Sequence, residues 1–233
     1  MNELIKAIKS LADEVRVEET YDWEVPADCP VEIPADMSDP YEQNLYIKRH
    51  LGEKLAADDD MSALYWVIQD WGGIKNFKDS EKNHDKIRTF CGELEKGRLT
   101  RPTFSVISSL SKVASFRHPD QYAIYDSRAV FALNWLLIKH TQDRDLFPQP
   151  AGRNKKLKDL DLEAFLRLAG VSYDMCNYRK AFHKYCNSLR ELSREALGED
   201  TPHKLEMILF LAAPEQVAKD VRKRVKVKLD LVD

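Results

Sequence analysis

The apolar residues of this chain recur every three or four positions, and that spacing dictates helices. Over residues 2–17, Leu4, Ile5, Ile8, Leu11 and Val15 fall on one stripe, which a 3.6-residue repeat turns into a single buried face. The same period predicts helices over 41–57, 61–71, 82–96, 102–116, 161–169, 174–197 and 202–211, with another beginning at or just after residue 126. Only "RVKVKLDLV" at 224–232 alternates, which fits a short terminal strand. There is no internal repeat. The expectation is an all-α fold, either one helical domain or two helical lobes around a cleft.

Between the helices, turn chemistry is explicit. Prolines 26, 30, 34 and 40 forbid a long regular element over 21–40, because each lacks a backbone donor and restricts the residue before it. An acidic "DDDM" opens one predicted helix and "KGR" closes another. Gly72 and Gly73 suit a helix end followed by a turn beside Trp71 and Phe77. Pro102 fits the first turn of the next helix, and residues 141–160 read as a basic loop. At 233 residues the expected organisation is one globular unit spanning 1–233, with 21–40 as an extended connection.

Charge narrows the function little. The 36 basic and 39 acidic side chains give a net charge of -3, so an anion-binding surface has to arise from local clusters. No apolar run approaches the roughly 20 residues that cross a bilayer, and "MNELIKAIKSLADEV" is an amphipathic charged helix rather than a signal peptide. A soluble, cytoplasmic protein is expected. Cys29, Cys91, Cys176 and Cys186 lack the spacing of a zinc or iron–sulfur site, and His118, His140, His183 and His203 lack ligand spacing too. They read as reduced, mostly buried thiols and as histidines without a metal. His203 with Glu206 reads as a capping arrangement.

One acid is conspicuous. In "HPDQYAIYDSRAVFALNW" an extended aromatic stretch runs into Asp126, after which Ala129, Val130, Leu133, Leu136 and Leu137 mark a buried helical face. Asp126 therefore sits at a helix N-terminus, where free amides and the helix dipole stabilise a carboxylate. By position alone it is an N-cap, a role that contributes about 1 kcal/mol.

The segment "SSLSKVASFRHPDQYAIYDSRAVFALNWLL" resembles the helix-hairpin-helix DNA glycosylase superfamily, in particular divergent bacterial proteins related to 8-oxoguanine glycosylases. The similarity covers about 103–137, with echoes in "YWVIQDWGGIKNF" and "HKLEMILFL". It departs from that family's glycine-bearing hairpin, because no glycine occurs between Gly97 and Gly152. The resemblance implies that Asp126 acts at the sugar, stabilising positive charge that develops on deoxyribose as the base leaves. Bifunctional members add a lysine whose amine attacks C1′ to form a Schiff base. Lys112, fourteen positions before Asp126, is the candidate.

On a helical projection Lys112 lies opposite the Phe104, Ile107, Leu110 and Ala114 stripe, sharing its side with Ser105, Ser108 and Ser109. That face would contact phosphate or present the amine to an extruded nucleotide; an ordinary solvated face gives the same pattern. Excision also needs an aromatic slot. Among Trp66, Trp71, Phe77, Tyr122, Tyr125 and Trp135, the preferred pocket residues are Trp71 and Tyr125. Arg128, Arg153, Lys155 and Lys156 are candidate DNA contacts, with Lys158 and the C-terminal "KDVRKRVKVK" as further basic positions.

The implied activity is a cofactor-independent DNA glycosylase acting on duplex DNA that carries an oxidised purine or a bulky modified cytosine of phage DNA, in repair or phage defence. The alternative is a non-catalytic helical module that binds nucleic acid or protein, with Asp126 as a cap. A two-metal nuclease is disfavoured by the lack of clustered carboxylates.

Overall fold

A computed structural model describes residues 2–56, 61–142, 144–152 and 154–226. The chain is all-α. Its helices are α1 (Asn2–Val15), α2 (Val17–Thr20), α3 (Pro40–Ala56), α4 (Ser62–Tyr65), α5 (Glu81–Glu95), α6 (Arg101–Phe104), α7 (Ile107–Arg117), α8 (Ser127–His140), α9 (Leu162–Leu168), α10 (Tyr178–Leu197), α11 (Pro202–Ala212) and α12 (Ala218–Arg224). Wider π-helical turns extend α4 over Trp66–Trp71 and join α11 to α12 over Ala213–Val217. The regular strands among the described residues are two dipeptides, β1 (Asp145–Leu146) and β2 (Asp174–Met175), paired in parallel.

Contacts sort most helices into two groups. The N- and C-terminal parts interleave, with α11 packed on α1, α2, α8 and α10. The middle of the chain forms the second group, in which α7 packs on α3, α5, α6 and the π turn after α4. A contiguous set of buried apolar side chains, including Ile8, Leu51, Phe116, Leu133 and Leu209, runs through both.

Several elements depart from sequence expectation for identifiable reasons. The helix expected over 102–116 breaks at Ser105–Val106, so Phe104 and Ile107 lie on different segments. Residues 109–116 of α7 are buried on every side, because α3 and the π turn cover the face that spacing alone left to solvent. Ser109, Lys112 and the two further serines Ser111 and Ser115 are therefore interior. Residues 174–177 do not start α10; β2 and the Asn177 cap precede it, Asn177 Oδ1 accepting from the Arg179 amide. Of the expected terminal strand, Arg224 ends α12 and 227–232 lie outside the described residues. The four cysteines are free, but only Cys186 is fully buried.

The segment before α8 is extended, and buried backbone of that kind must find partners outside a helix or sheet. Side chains supply them. Ser111 Oγ accepts from the Tyr125 amide at 2.9 Å, Ser108 Oγ donates to the Tyr125 carbonyl at 3.3 Å, and Tyr185 Oη donates to the Ile124 carbonyl at 3.2 Å. The serines of α7 thus dock the strand-like stretch, and Asp126 emerges from it into a cleft.

Candidate active site

That cleft has a volume of about 860 Å³ and lies between the two groups of helices. Asp126 and Arg128 enter it from the start of α8, Lys112 from α7, Lys48 from α3 and Glu206 from α11. Aromatic walls come from Trp23, Trp71, Phe77, Phe104 and Phe210.

Asp126 is the N-cap of α8: its Oδ1 accepts from the Arg128 amide at 2.8 Å, and Arg128 Nε lies 3.5 Å from the same oxygen. Its side chain is 22% exposed, so capping does not seal it from the cleft. Among the described residues Oδ2 has no hydrogen bond, which leaves that oxygen open towards a ligand. Arg128 is held in turn by stacking, with its guanidinium carbon 3.2 Å from the Phe210 ring centroid.

Lys112 is 7% exposed and donates to the Ser108 carbonyl at 2.7 Å, the residue one turn earlier on its own helix. Burial pushes its pKa down, the carboxylates of Asp126 and Glu206 oppose that, and Arg128 adds to the lowering. Its stem passes so close to Gly72 that a Cβ there would fall 2.6 Å from Cδ and 2.7 Å from Cε. Gly72 therefore makes room for the amine as well as ending the π turn.

Lys48 and Glu206 complete the charged floor. Lys48 is 2% exposed, donates to Ser115 Oγ at 3.3 Å and sits 4.4 Å from the Phe116 ring centroid. Burial lowers its pKa against the pull of Glu206. Burial likewise raises that of Glu206, opposed mainly by Lys48. Neither residue stood out in the sequence as a site residue; the signal was a lone charge inside an apolar run, "LYIKRHL" and "KLEMILFL". Glu206 is not a capping partner of His203, whose Nδ1 lies instead 3.4 Å from the Pro119 carbonyl oxygen.

Of the expected pocket residues, Trp71 lines the cleft and Tyr125 does not. Trp71 is fixed by Nε1 donating to Asn44 Oδ1 at 2.8 Å, and its carbonyl accepts from Trp23 Nε1 at 3.0 Å. Tyr125 turns into the core, 4.8 Å from the Tyr185 ring, with its hydroxyl donating to the Pro148 carbonyl at 2.8 Å. The reason is alternation: in the extended stretch, Tyr125 and Asp126 point to opposite sides. Trp23 fills the aromatic role instead, brought in by the proline-rich segment.

The remaining candidates divide. Ser108 and Ser109 line the cleft, but Ser108 is engaged with Tyr125 and Ser109 is buried. Lys155 and Lys156 are exposed on the loop beyond the cleft wall, where Lys156 pairs with Glu215. Arg153 lies outside the described residues. Lys158 lines a smaller neighbouring cavity of about 330 Å³.

Trp66 is tied to Asp28 and Trp135 to Asp220, both away from the cleft. Among the described residues no three His, Cys, Asp or Glu side chains converge as metal ligands, and no helix is long and apolar enough to cross a membrane. Comparison with protein-family models, with curated proteins and with solved structures returns no match for this chain.

Proposed function

We propose that this chain is a DNA glycosylase that releases a modified or damaged base from duplex DNA, with Lys112 as nucleophile and Asp126 as the carboxylate that stabilises the sugar. The observation that carries this reading is the convergence of a buried amine and a helix-capping carboxylate on one large cleft. A lysine is a nucleophile only when neutral, and burial favours that form. Asp126 keeps one oxygen for the cleft while its other oxygen is anchored, so its charge faces the reaction centre without reorganising.

The cleft supports base extrusion. Its volume falls within the roughly 300–1,000 Å³ typical of ligand sites, and Trp23, Trp71 and Phe210 offer apolar faces to a flat ring. That space admits a bulky modified cytosine as well as the smaller oxidised purine. Arg128 and the exposed Lys155 and Lys156 would contact DNA phosphates, and the site of action that goes with this reading is the cytoplasm. The reaction needs no cofactor.

The test is base release from a panel of oxidised, alkylated, deaminated and glucosylated-base duplexes by wild type and Asp126→Asn. Release by wild type that falls at least about 100-fold in the variant, with folding and DNA affinity retained, supports the reading. Binding to DNA without release of any base on the panel would favour a non-catalytic module.

A further inference from the structure

We propose that Glu206 is the general acid of this cleft, donating a proton to the departing base while Lys112 attacks the sugar. The inference rests on the glycosylase reading and adds to it the fate of the leaving group.

Glu206 stands on α11 and lines the same cleft as Lys112 on α7 and Asp126 at the start of α8. It is 3% exposed and lines the cleft, yet among the described residues it makes no hydrogen bond and no ion pair. A carboxyl buried to that degree without a partner costs stability unless it is neutral or a ligand completes it. The other charged groups of the cleft are committed. Asp126 Oδ1 takes the Arg128 amide, Arg128 stacks on Phe210, Lys112 donates to Ser108, and Lys48 is turned to Ser115 and Phe116. Glu206 is the acid among them with its full hydrogen-bonding capacity unspent.

Its surroundings suit a proton donor. Burial raises the pKa of Glu206 and the nearby charge of Asp126 raises it further, while Lys48, Lys112 and Arg128 oppose the rise. The same burial lowers that of Lys112. Burial thus favours the reactive form of each group on its own, a neutral amine at Lys112 and a neutral acid at Glu206.

The bond changes balance as follows. The Lys112 nitrogen lone pair forms the N–C1′ bond while the bond from C1′ to the base breaks, and its electron pair leaves with the base. The base nitrogen takes the proton of Glu206, which becomes a carboxylate. Lys112 is then a secondary ammonium; ring opening moves one of its protons to O4′ and leaves the protonated Schiff base.

Glu206→Gln tests this, because the amide keeps the shape and cannot give up a proton. Two duplexes separate the roles: one carrying a modified base that wild type releases, and one carrying a preformed abasic site. An abasic aldehyde reacts with Lys112 without any base departing. The proposal expects base release to fall about 10²- to 10⁴-fold, while borohydride trapping of the variant on abasic DNA stays within about threefold of wild type. Retained trapping also shows that the variant is folded.

Unchanged base release overturns the proposal, and so does an equal fall in both readouts, which would assign Glu206 to Lys112 or to the fold. A wild type that neither releases a base nor traps abasic DNA would instead defeat the glycosylase reading, and this inference with it.

Discussion

Glu93 and Glu206 are both buried glutamates, 7% and 3% exposed, and the fold treats them in opposite ways. Glu93 Oε2 accepts from the Thr103 hydroxyl at 2.5 Å and from the Thr100 amide at 3.0 Å, tying the end of α5 to the start of α6. Glu206 has cations in its vicinity, no donor in contact and open space in front of it. Donors that meet a carboxylate directly make it a structural joint, since removing it strands them. Charges held at a distance only tune it, and leave its oxygens for a ligand.

The two ends of α8 repeat the contrast. At its C-terminal end Asp220 of α12 accepts from Trp135 Nε1 and Lys139 Nζ, both at 2.8 Å, and from Arg224 at 2.9 Å. Burial alone would raise the Asp220 pKa, but those donors hold it down to about 2. At the N-terminal end Asp126 carries its contacts on one oxygen and keeps the other for the cleft.

The contrast is sharpest in stability. Glu93→Ala should cost about 2–3 kcal/mol, because it leaves the Thr100 amide without its acceptor and takes from the Thr103 hydroxyl its nearer one, the other being the Thr100 carbonyl; thermal or denaturant unfolding measures it. An intermediate effect is expected from pH. Burial first, with Lys48 second, drives the pKa of His203 to about 4, below its ordinary 6.5.

The unfolded chain therefore binds a proton that the folded one refuses, and stability falls as pH drops from 6.5 towards 4. His203→Gln should flatten that limb, an effect on the order of 1–2 kcal/mol between about pH 5.5 and 5. The smallest effect belongs to Glu206→Gln at neutral pH, under about 1 kcal/mol, because glutamine imitates the protonated acid in shape and charge. A cost as large as that of Glu93→Ala would break the comparison and make Glu206 a joint.

Most helices were legible in the sequence because periodicity is a local property. The stripe Leu4, Ile5, Ile8 and Leu11 defines α1, and Asp126 followed by an apolar helix specifies its own cap. What the helices meet was not legible. Lys112 and Ser109 project onto a polar face, yet α3 and the π turn bury that face and turn an apparent surface lysine into an interior amine. Tyr125 was misjudged by a single position, since neighbouring residues of an extended stretch face opposite ways.

Lys48, Trp23 and Glu206 come from segments about 25 to 180 residues apart in sequence, and only their packing brings them to one cleft. Their mark in the sequence was weaker: a charge interrupting an apolar run, or a tryptophan in a proline-rich connection. The wider π turn over Trp66–Trp71 left no such mark, and it delivers Gly72 to the stem of Lys112.

The most direct test of the central claim is to incubate the protein with abasic-site duplex and borohydride and locate any cross-linked residue by peptide mass spectrometry. The account predicts one adduct, on Lys112, that disappears in Lys112→Gln. An adduct on Lys48 or another amine, or none at all on DNA that the protein binds, would contradict Lys112 as the nucleophile.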